Sequence, residues 1–179
     1  GSEMTRKCIA AFGMKVLAYD PFVPKTKAQK LGATMVDNLD ELLESADVVS
    51  IHAELNDSSR GMMGEAQFRK MQRQAFFINT SRGKVVQQAA LEKALTQGWI
   101  AGAALDVYED EPLAEPSPLW NLENLILTPH VAGLSGDALH DLAESAVTQV
   151  LQALSGEPPR HLVNPAAWAA ASARLARTA

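Results

Sequence analysis

The chain has 179 residues, of which 47% are hydrophobic and 21% charged, and its formal net charge is −5. This length and apolar content suffice for a buried core, so we expect one globular domain with an appendage. The acidic balance, without a cluster of lysine and arginine, argues against a surface for nucleic acid or for an anionic membrane.

Cysteine content and hydropathy narrow the class of protein further. The single cysteine, Cys8, excludes an internal disulfide framework and a cysteine-based zinc site, which favours a cytoplasmic protein. No uninterrupted apolar run is long enough to span a bilayer, and the N-terminus lacks a signal-peptide pattern. We therefore expect no metal site, no membrane span and no nucleic-acid partner.

Short apolar runs alternate with segments that carry apolar residues at helical spacing. The runs predict strands at 15–21, 33–36, 47–52, 75–78, 100–107 and 124–130. The intervening segments predict helices at 4–12, 25–31, 39–46, 65–71 and 87–98, and a long amphipathic helix follows at 136–156. This alternation predicts a doubly wound parallel α/β sheet with a long C-terminal helix. The alanine-rich tail from residue 164 is either helical or frayed.

Polar or charged side chains follow five of the predicted strands, where each strand ends: Asp20, His52, Arg82, Asp106 and His130. The carboxyl ends of parallel strands lie on one edge of a sheet, and ligands bind beyond that edge in open α/β folds. Any one of these side chains could be a solvated turn residue. Five of them on different strands predict a shared ligand-binding crevice.

Six stretches in order carry a family resemblance up to about residue 160: AFGMKVLAYDP, LDELLESADVVSIH, INTSRGKVV, AALEKAL, AGAALDVYEDEP and LILTPHVAG. On these motifs the chain resembles the cofactor-binding half of the D-isomer-specific 2-hydroxyacid dehydrogenases, which include phosphoglycerate and glyoxylate/hydroxypyruvate reductases. The resemblance implies a Rossmann-type NAD-binding domain over residues 1–134. Residues 135–179 would form a C-terminal helix and tail that pack towards a substrate domain.

The same resemblance implies three catalytic residues. Arg82, in NTSRG, would bind the substrate carboxylate, because a guanidinium makes paired hydrogen bonds that a lysine could not reproduce. His130, in TPH, would protonate the keto oxygen as hydride arrives from the nicotinamide. Glu111, in EDEP, would hydrogen-bond that imidazole and orient it. The implied reaction is hydride transfer between NAD and a D-2-hydroxy acid or 2-keto acid.

Five residues are predicted to contact the cofactor. Asp20 ends the second strand of a dinucleotide fold, where a carboxylate binds the adenine ribose and repels a 2′-phosphate, which favours NAD over NADP. By the resemblance, Asp106 would face the nicotinamide, and Thr80 and Gly133 would contact the cofactor through backbone groups. His52 is assigned to the same crevice, although the two residues after it depart from the family's usual pattern.

The glycine-rich GxGxxG loop, the strand before it and the family's N-terminal substrate domain have no counterpart in this sequence. We therefore expect the chain to be a fragment or truncated product of a full dehydrogenase. The absent strand belongs between the strands that end at Asp20 and His52. These two strands are expected to pair directly, or to receive a strand from another chain.

Two other functions are compatible with the sequence. The C-terminal binding protein corepressors resemble the same family and keep the three catalytic residues, so the chain could be a non-catalytic NAD-sensing interaction module. It could also be an inactive fragment. The cofactor domains of the family often pair, which predicts a homodimer.

Overall fold

The computed structural model describes residues 1–175, so residues 176–179 of the alanine-rich tail lie outside the described chain. Two compact units divide the chain, residues 1–131 and the part from residue 132 onward. The strands of the first unit are β1 Leu17–Ala18, β2 Thr34–Met35, β3 Val48–Ile51, β4 Phe76–Asn79, β5 Gly102–Leu105 and β6 Leu125–Leu127. Its helices are α1 Ser2–Phe12, α2 Lys25–Lys30, α3 Leu39–Ser45, α4 Glu65–Lys70 and α5 Gln88–Thr96.

The strands form two separate parallel sheets. The larger sheet has the spatial order β3-β4-β5-β6, and β1 pairs only with β2. The predicted parallel α/β architecture is confirmed, but the expected direct pairing between the strands that precede Asp20 and His52 is wrong. β1 is held instead by its ladder with β2, in which the Val36 N–H donates to the Ala18 carbonyl at 2.9 Å. β3 is therefore an edge strand within the described chain.

One face of the larger sheet carries the core. Side chains alternate along β4, so that Phe77 is fully buried whereas Phe76 is 52% exposed. The Phe77 ring packs edge-on against Phe68 of α4, with ring centroids 5.2 Å apart. Helices α3 and α5 complete this core with Leu43, Ala90, Leu91, Ala94 and Leu95. The helices on this face thus cover the inward-facing side chains of the sheet.

Side-chain caps and a glycine set the ends of several helices. The Asn38 side chain accepts a hydrogen bond from the Glu41 N–H at the start of α3. Gly13 ends α1 with a φ of 62°, in the left-handed region that glycine adopts without steric cost. α1 begins at Ser2, two residues before the predicted start, and the Thr5 N–H donates to the Gly1 carbonyl in its first turn.

From residue 132 onward, the described chain forms α6 Gly136–Leu154 and α7 Trp168–Leu175. The predicted long amphipathic helix is confirmed, and the tail is helical as far as residue 175. None of the residues of α6 is buried, and its apolar side chains are exposed: Leu139, Leu142, Val147, Val150, Leu151 and Leu154. Within residues 1–175, no helix combines the length and apolarity needed to cross a membrane.

Candidate active site

The register of the larger sheet brings four strand ends to one level. The last residues of the strands lie in one row, which consists of Ile51, Asn79, Leu105 and Leu127. The polar residues that follow therefore emerge from the same edge, in the spatial order His52, Arg82, Asp106 and His130. Strands lie about 4.8 Å apart, so β4 and β6 are separated by about 10 Å. A small molecule can bridge the side chains at the ends of these two strands.

A buried asparagine shapes the loop that carries Arg82. Asn79 has no exposed surface, and its Oδ1 accepts hydrogen bonds from the Ser81 N–H at 3.0 Å and the Ser81 Oγ at 2.9 Å. Its amide group donates to the Arg82 carbonyl at 3.1 Å. Asn79 was not among the predicted site residues, although an asparagine after an apolar strand is a signal for such a turn.

The Arg82 guanidinium itself is exposed at the sheet edge. One N–H group donates to the Ser81 carbonyl at 2.6 Å, and the side chain has no other hydrogen bond within the described residues. Thr80 is exposed beside it. The guanidinium therefore keeps donors for an anionic ligand, with its position limited by the bond to the main chain.

His130 and Glu111 form an imidazole–carboxylate pair, in which Nδ1 lies 2.8 Å from Oε2. Because an ionised carboxylate only accepts hydrogen bonds, we assign the hydrogen to Nδ1, which leaves Nε2 to exchange a proton with a ligand. The bond from His130, followed by the bond from the Tyr108 N–H, lowers the pKa of the Glu111 carboxyl below its ordinary value of 4.5. Glu111 therefore stays ionised at neutral pH and remains an acceptor for the imidazole.

The turn that carries His130 is anchored by Asp106. This carboxylate is only 3% exposed, and its Oδ1 accepts hydrogen bonds from the Thr128 Oγ1 at 2.5 Å and the Val131 N–H at 2.9 Å. His130, which lies between these two donors, has a φ of 56°, a conformation that is uncommon for residues other than glycine. Asp106 thus braces the turn on both sides of the histidine, a role that the sequence analysis did not predict.

Asp20 lies apart from the other four residues in the sheet topology. It follows β1 of the smaller sheet, so the expectation that all five strand ends share one sheet is wrong for this residue. Its Oδ1 accepts hydrogen bonds from the Phe22 N–H at 2.9 Å and the Val23 N–H at 3.2 Å. Its Oδ2 has no hydrogen-bond partner among residues 1–175, so this oxygen can accept a bond from a ligand hydroxyl.

His52 follows β3 and is exposed at the sheet edge. Its Nε2 lies 3.2 Å from the Ser50 Oγ. Partial burial lowers the pKa of His52 below its ordinary value of 6.5.

Gly133 is the remaining residue that is predicted to contact the cofactor. Gly133 belongs to the second unit, three residues after His130 in the chain, and an added Cβ there would meet no atom within 4 Å. Among the described residues, no three histidine, cysteine, aspartate or glutamate side chains are grouped to hold a metal ion. The side chains at the sheet edge include a guanidinium, an imidazole and carboxylates.

Comparison with known proteins gives the family. Residues 1–132 match the family model for the D-isomer specific 2-hydroxyacid dehydrogenase, NAD binding domain. The chain is 44% identical over 164 residues to a glyoxylate reductase of Korarchaeum cryptofilum, which covers 92% of this chain and 49% of the relative. It is 39% identical over 164 residues to a D-3-phosphoglycerate dehydrogenase of Archaeoglobus fulgidus, which covers 92% of this chain and 31% of the relative. The chain thus spans half or less of the length of these relatives.

Solved structures agree with this family at the level of the fold. The structure of D-lactate dehydrogenase with NAD⁺ from Lactobacillus jensenii superimposes with a TM-score of 0.83 at 30% identity, over 92% of this chain and 52% of that one. The NAD-complexed D-isomer specific 2-hydroxyacid dehydrogenase from Lactobacillus delbrueckii ssp. bulgaricus gives a TM-score of 0.81 at 33% identity, over 92% and 53% of the two chains. The predicted Rossmann-type fold is confirmed, and the chain belongs to the NAD-binding domain family of the D-isomer specific 2-hydroxyacid dehydrogenases.

Proposed function

We propose that this chain is the cofactor-binding part of an NAD-dependent oxidoreductase that interconverts a D-2-hydroxy acid and a 2-keto acid. The observation that carries the proposal is the 2.8 Å contact between the His130 Nδ1 and the Glu111 Oε2, at the sheet edge that also bears Arg82. An imidazole oriented by a carboxylate is suited to general acid–base catalysis. An exposed guanidinium two strands away is suited to a substrate carboxylate.

Each of the three side chains has a distinct role in this proposal. Arg82 binds the substrate carboxylate through paired N–H groups and so orients the keto carbon. His130 gives the proton on its Nε2 to the keto oxygen during reduction and takes it back during oxidation. Glu111 holds the imidazole in the required tautomer. NADH, when bound, supplies the hydride.

The cofactor contacts follow from the positions of the polar residues. Asp20 accepts a hydrogen bond from the adenine ribose, and its carboxylate repels a 2′-phosphate, which selects NAD over NADP. His52, Thr80, Asp106 and Gly133 contribute the remaining contacts along the crevice. The exposed position of Asp20, whose Oδ1 alone accepts the Phe22 and Val23 N–H bonds, supports this arrangement.

The complete protein is proposed to be a cytoplasmic homodimer with a separate substrate domain. Residues 1–134 would form its NAD-binding domain, and residues 135–179 would pack towards the substrate domain. The exposed apolar side chains of α6 support this assignment, because such a stripe is normally covered by another part of a protein. The family resemblance supports the pairing of subunits.

Turnover by the complete protein, as its gene encodes it, tests the proposed function. We expect oxidation of NADH with at least one of glyoxylate, hydroxypyruvate and phosphohydroxypyruvate. His130→Ala should lower this turnover by about 10²- to 10⁴-fold, the usual range for loss of a general acid. Asp110→Asn, which changes an exposed carboxylate next to Glu111, should leave turnover unchanged.

The absence of turnover would distinguish an NAD-sensing interaction module from an enzyme. If the complete protein binds NADH, as measured by energy transfer from tryptophan to nicotinamide, but turns over no 2-keto acid, the enzyme proposal fails. The NAD-sensing interaction module would then be the better description.

A further inference from the structure

Tyr108 contacts all three segments that carry the candidate catalytic side chains. Its backbone N–H donates to the Glu111 Oε1 at 3.0 Å, and its hydroxyl donates to the Thr128 carbonyl at 2.7 Å. Its own carbonyl oxygen lies where a Cβ on Gly83 would be only 1.6 Å away, so its main chain packs directly against the residue after Arg82. One residue therefore touches the loops after β4, β5 and β6.

The hydroxyl group of Tyr108 is not needed to fill the space that the side chain occupies in the core. The residue is 8% exposed and belongs to the main apolar core, where a phenylalanine ring would fill the same space. The second acceptor near the hydroxyl, the Leu105 carbonyl, is 3.5 Å away, so the single hydroxyl hydrogen is directed to Thr128. Burial, and then the charge of Asp106, raise the pKa of the phenol above 10.0, so the group stays a donor.

The Thr128 carbonyl, which accepts the hydrogen bond from the Tyr108 hydroxyl, is placed to affect the orientation of His130. Thr128 lies two residues before the histidine, and its carbonyl also accepts a hydrogen bond from the His130 N–H at 3.1 Å. In the same turn His130 has its positive φ, and Asp106 accepts hydrogen bonds from Thr128 and Val131 on either side of the histidine. Release of the Thr128 carbonyl would loosen the backbone that aims the imidazole at Glu111.

We propose that Tyr108 is a positioning residue, whose hydroxyl holds the His130 turn while its main chain holds Glu111 and packs against the Arg82 loop. The inference rests on the proposed oxidoreductase function. Tyr108 does not touch the reacting atoms in this proposal. It fixes the relative positions of three side chains that act together, and small displacements of such groups lower turnover more than they lower cofactor binding.

Tyr108→Phe in the complete protein tests the role of the hydroxyl. We expect turnover to fall roughly three- to tenfold, the range for loss of one hydrogen bond, while the affinity for NADH is unchanged. Amide exchange at Val131 should accelerate by a similar factor, because the turn opens more often. The matched control is Thr96→Val, which removes a hydroxyl that also donates to a main-chain carbonyl, that of Glu92, near the end of α5. Thr96→Val should change neither turnover nor amide exchange at Val131.

A double mutant shows whether Tyr108 acts through the histidine–glutamate pair. Tyr108→Phe should lower turnover clearly in the wild type but little further in a Glu111→Gln background. Equal losses of turnover in the wild-type and Glu111→Gln backgrounds would overturn the proposal. Unchanged turnover of Tyr108→Phe, together with faster amide exchange at Val131, would also overturn it. Unchanged exchange at Val131 would overturn it independently of any activity. If the wild type turns over no 2-keto acid, the proposed function fails while the exchange measurement still decides whether the hydroxyl holds the turn.

Discussion

Glu111 joins two chemically different partners through its two oxygens. One oxygen accepts from the imidazole of His130 and the other from the main-chain N–H of Tyr108. Both bonds favour the ionised carboxylate, which is why the pKa of Glu111 is lowered. A group with a lowered folded-state pKa stabilises the fold above its ordinary pKa, and this contribution is lost as the pH falls through the lowered value.

Glu111→Gln should therefore destabilise the protein in a pH-dependent way. We expect its free energy of unfolding, measured with urea, to lie below that of the wild type at pH 7. The difference should shrink as the pH falls below 4.5, where the wild-type carboxyl also becomes protonated. Asp110→Asn is the matched control, because that side chain is 93% exposed and should change the free energy little at either pH. A deficit of Glu111→Gln that is equal at both pH values would contradict the argument.

Gly83 is required because two main-chain segments touch at this position. A Cβ would lie 1.6 Å from the carbonyl oxygen of Tyr108, so one of the two loops would have to move. We expect Gly83→Ala to lower the free energy of unfolding by about 1–3 kcal/mol, the cost of forcing extra atoms into a packed site. In Gly136→Ala the added methyl group meets no atom within 4 Å, so stability in urea should be nearly unchanged. Equal effects of the two substitutions would remove the steric explanation.

At the scale of the element, β4 has one buried face and one exposed face, so its side chains contribute unequally to stability. Phe77 belongs to the buried row that it shares with Val49 and Ala103, whereas Phe76 belongs to the opposite row. These adjacent residues have the same side chain, so the comparison isolates burial from chemistry.

Phe77→Ala should lower the free energy of unfolding by about 3–5 kcal/mol, because it leaves a cavity against Phe68. Phe76→Ala, at a side chain that is 52% exposed, should cost less than about 1 kcal/mol. Urea denaturation of this 179-residue chain measures both quantities. Similar losses would mean that the second face of the sheet is covered in solution.

At the scale of the whole molecule, the two sheets differ in how many neighbours hold each strand. β4 and β5 have a partner on both sides, whereas β1 and β2 pair over two residues only and are not joined to the larger sheet. Two-stranded pairings are marginally stable in water. The segment that carries Asp20 is therefore expected to be the part of the first unit that opens most readily.

Hydrogen exchange followed by NMR should reveal this order. We expect amides of β4 and β5 to be protected at least about a hundredfold more than those of β1 and β2, because local opening needs far less free energy than global unfolding. Binding of NADH by the complete protein should reduce the difference, since Asp20 would then bond to the ribose in addition to the Phe22 and Val23 N–H groups. Equal protection of both sheets would show that they form one cooperative unit.

Much of the site could be predicted from local sequence patterns. The alternation of short apolar runs and helical segments depends on neighbouring residues only, so it located each strand of the larger sheet and the polar residue that follows it. The pairing of Glu111 with His130 was also expected, from the family motifs that contain them. The structure gives that pair a geometry, with 2.8 Å between the two atoms.

The amino-acid sequence by itself determined the parallel α/β class, the order of its elements and which side chains follow the strands of the larger sheet, because periodicity and turn chemistry are local. Only the tertiary structure decided that β1 stays apart from β3, that Asp106 braces the turn of His130 and that Tyr108 joins three loops. Those features depend on contacts between segments distant in the chain, such as Asp106 with Thr128, 22 residues apart. Asp106 and Thr128 meet because they directly follow the register partners Leu105 and Leu127, and the pairing of β5 with β6 cannot be read from either segment alone.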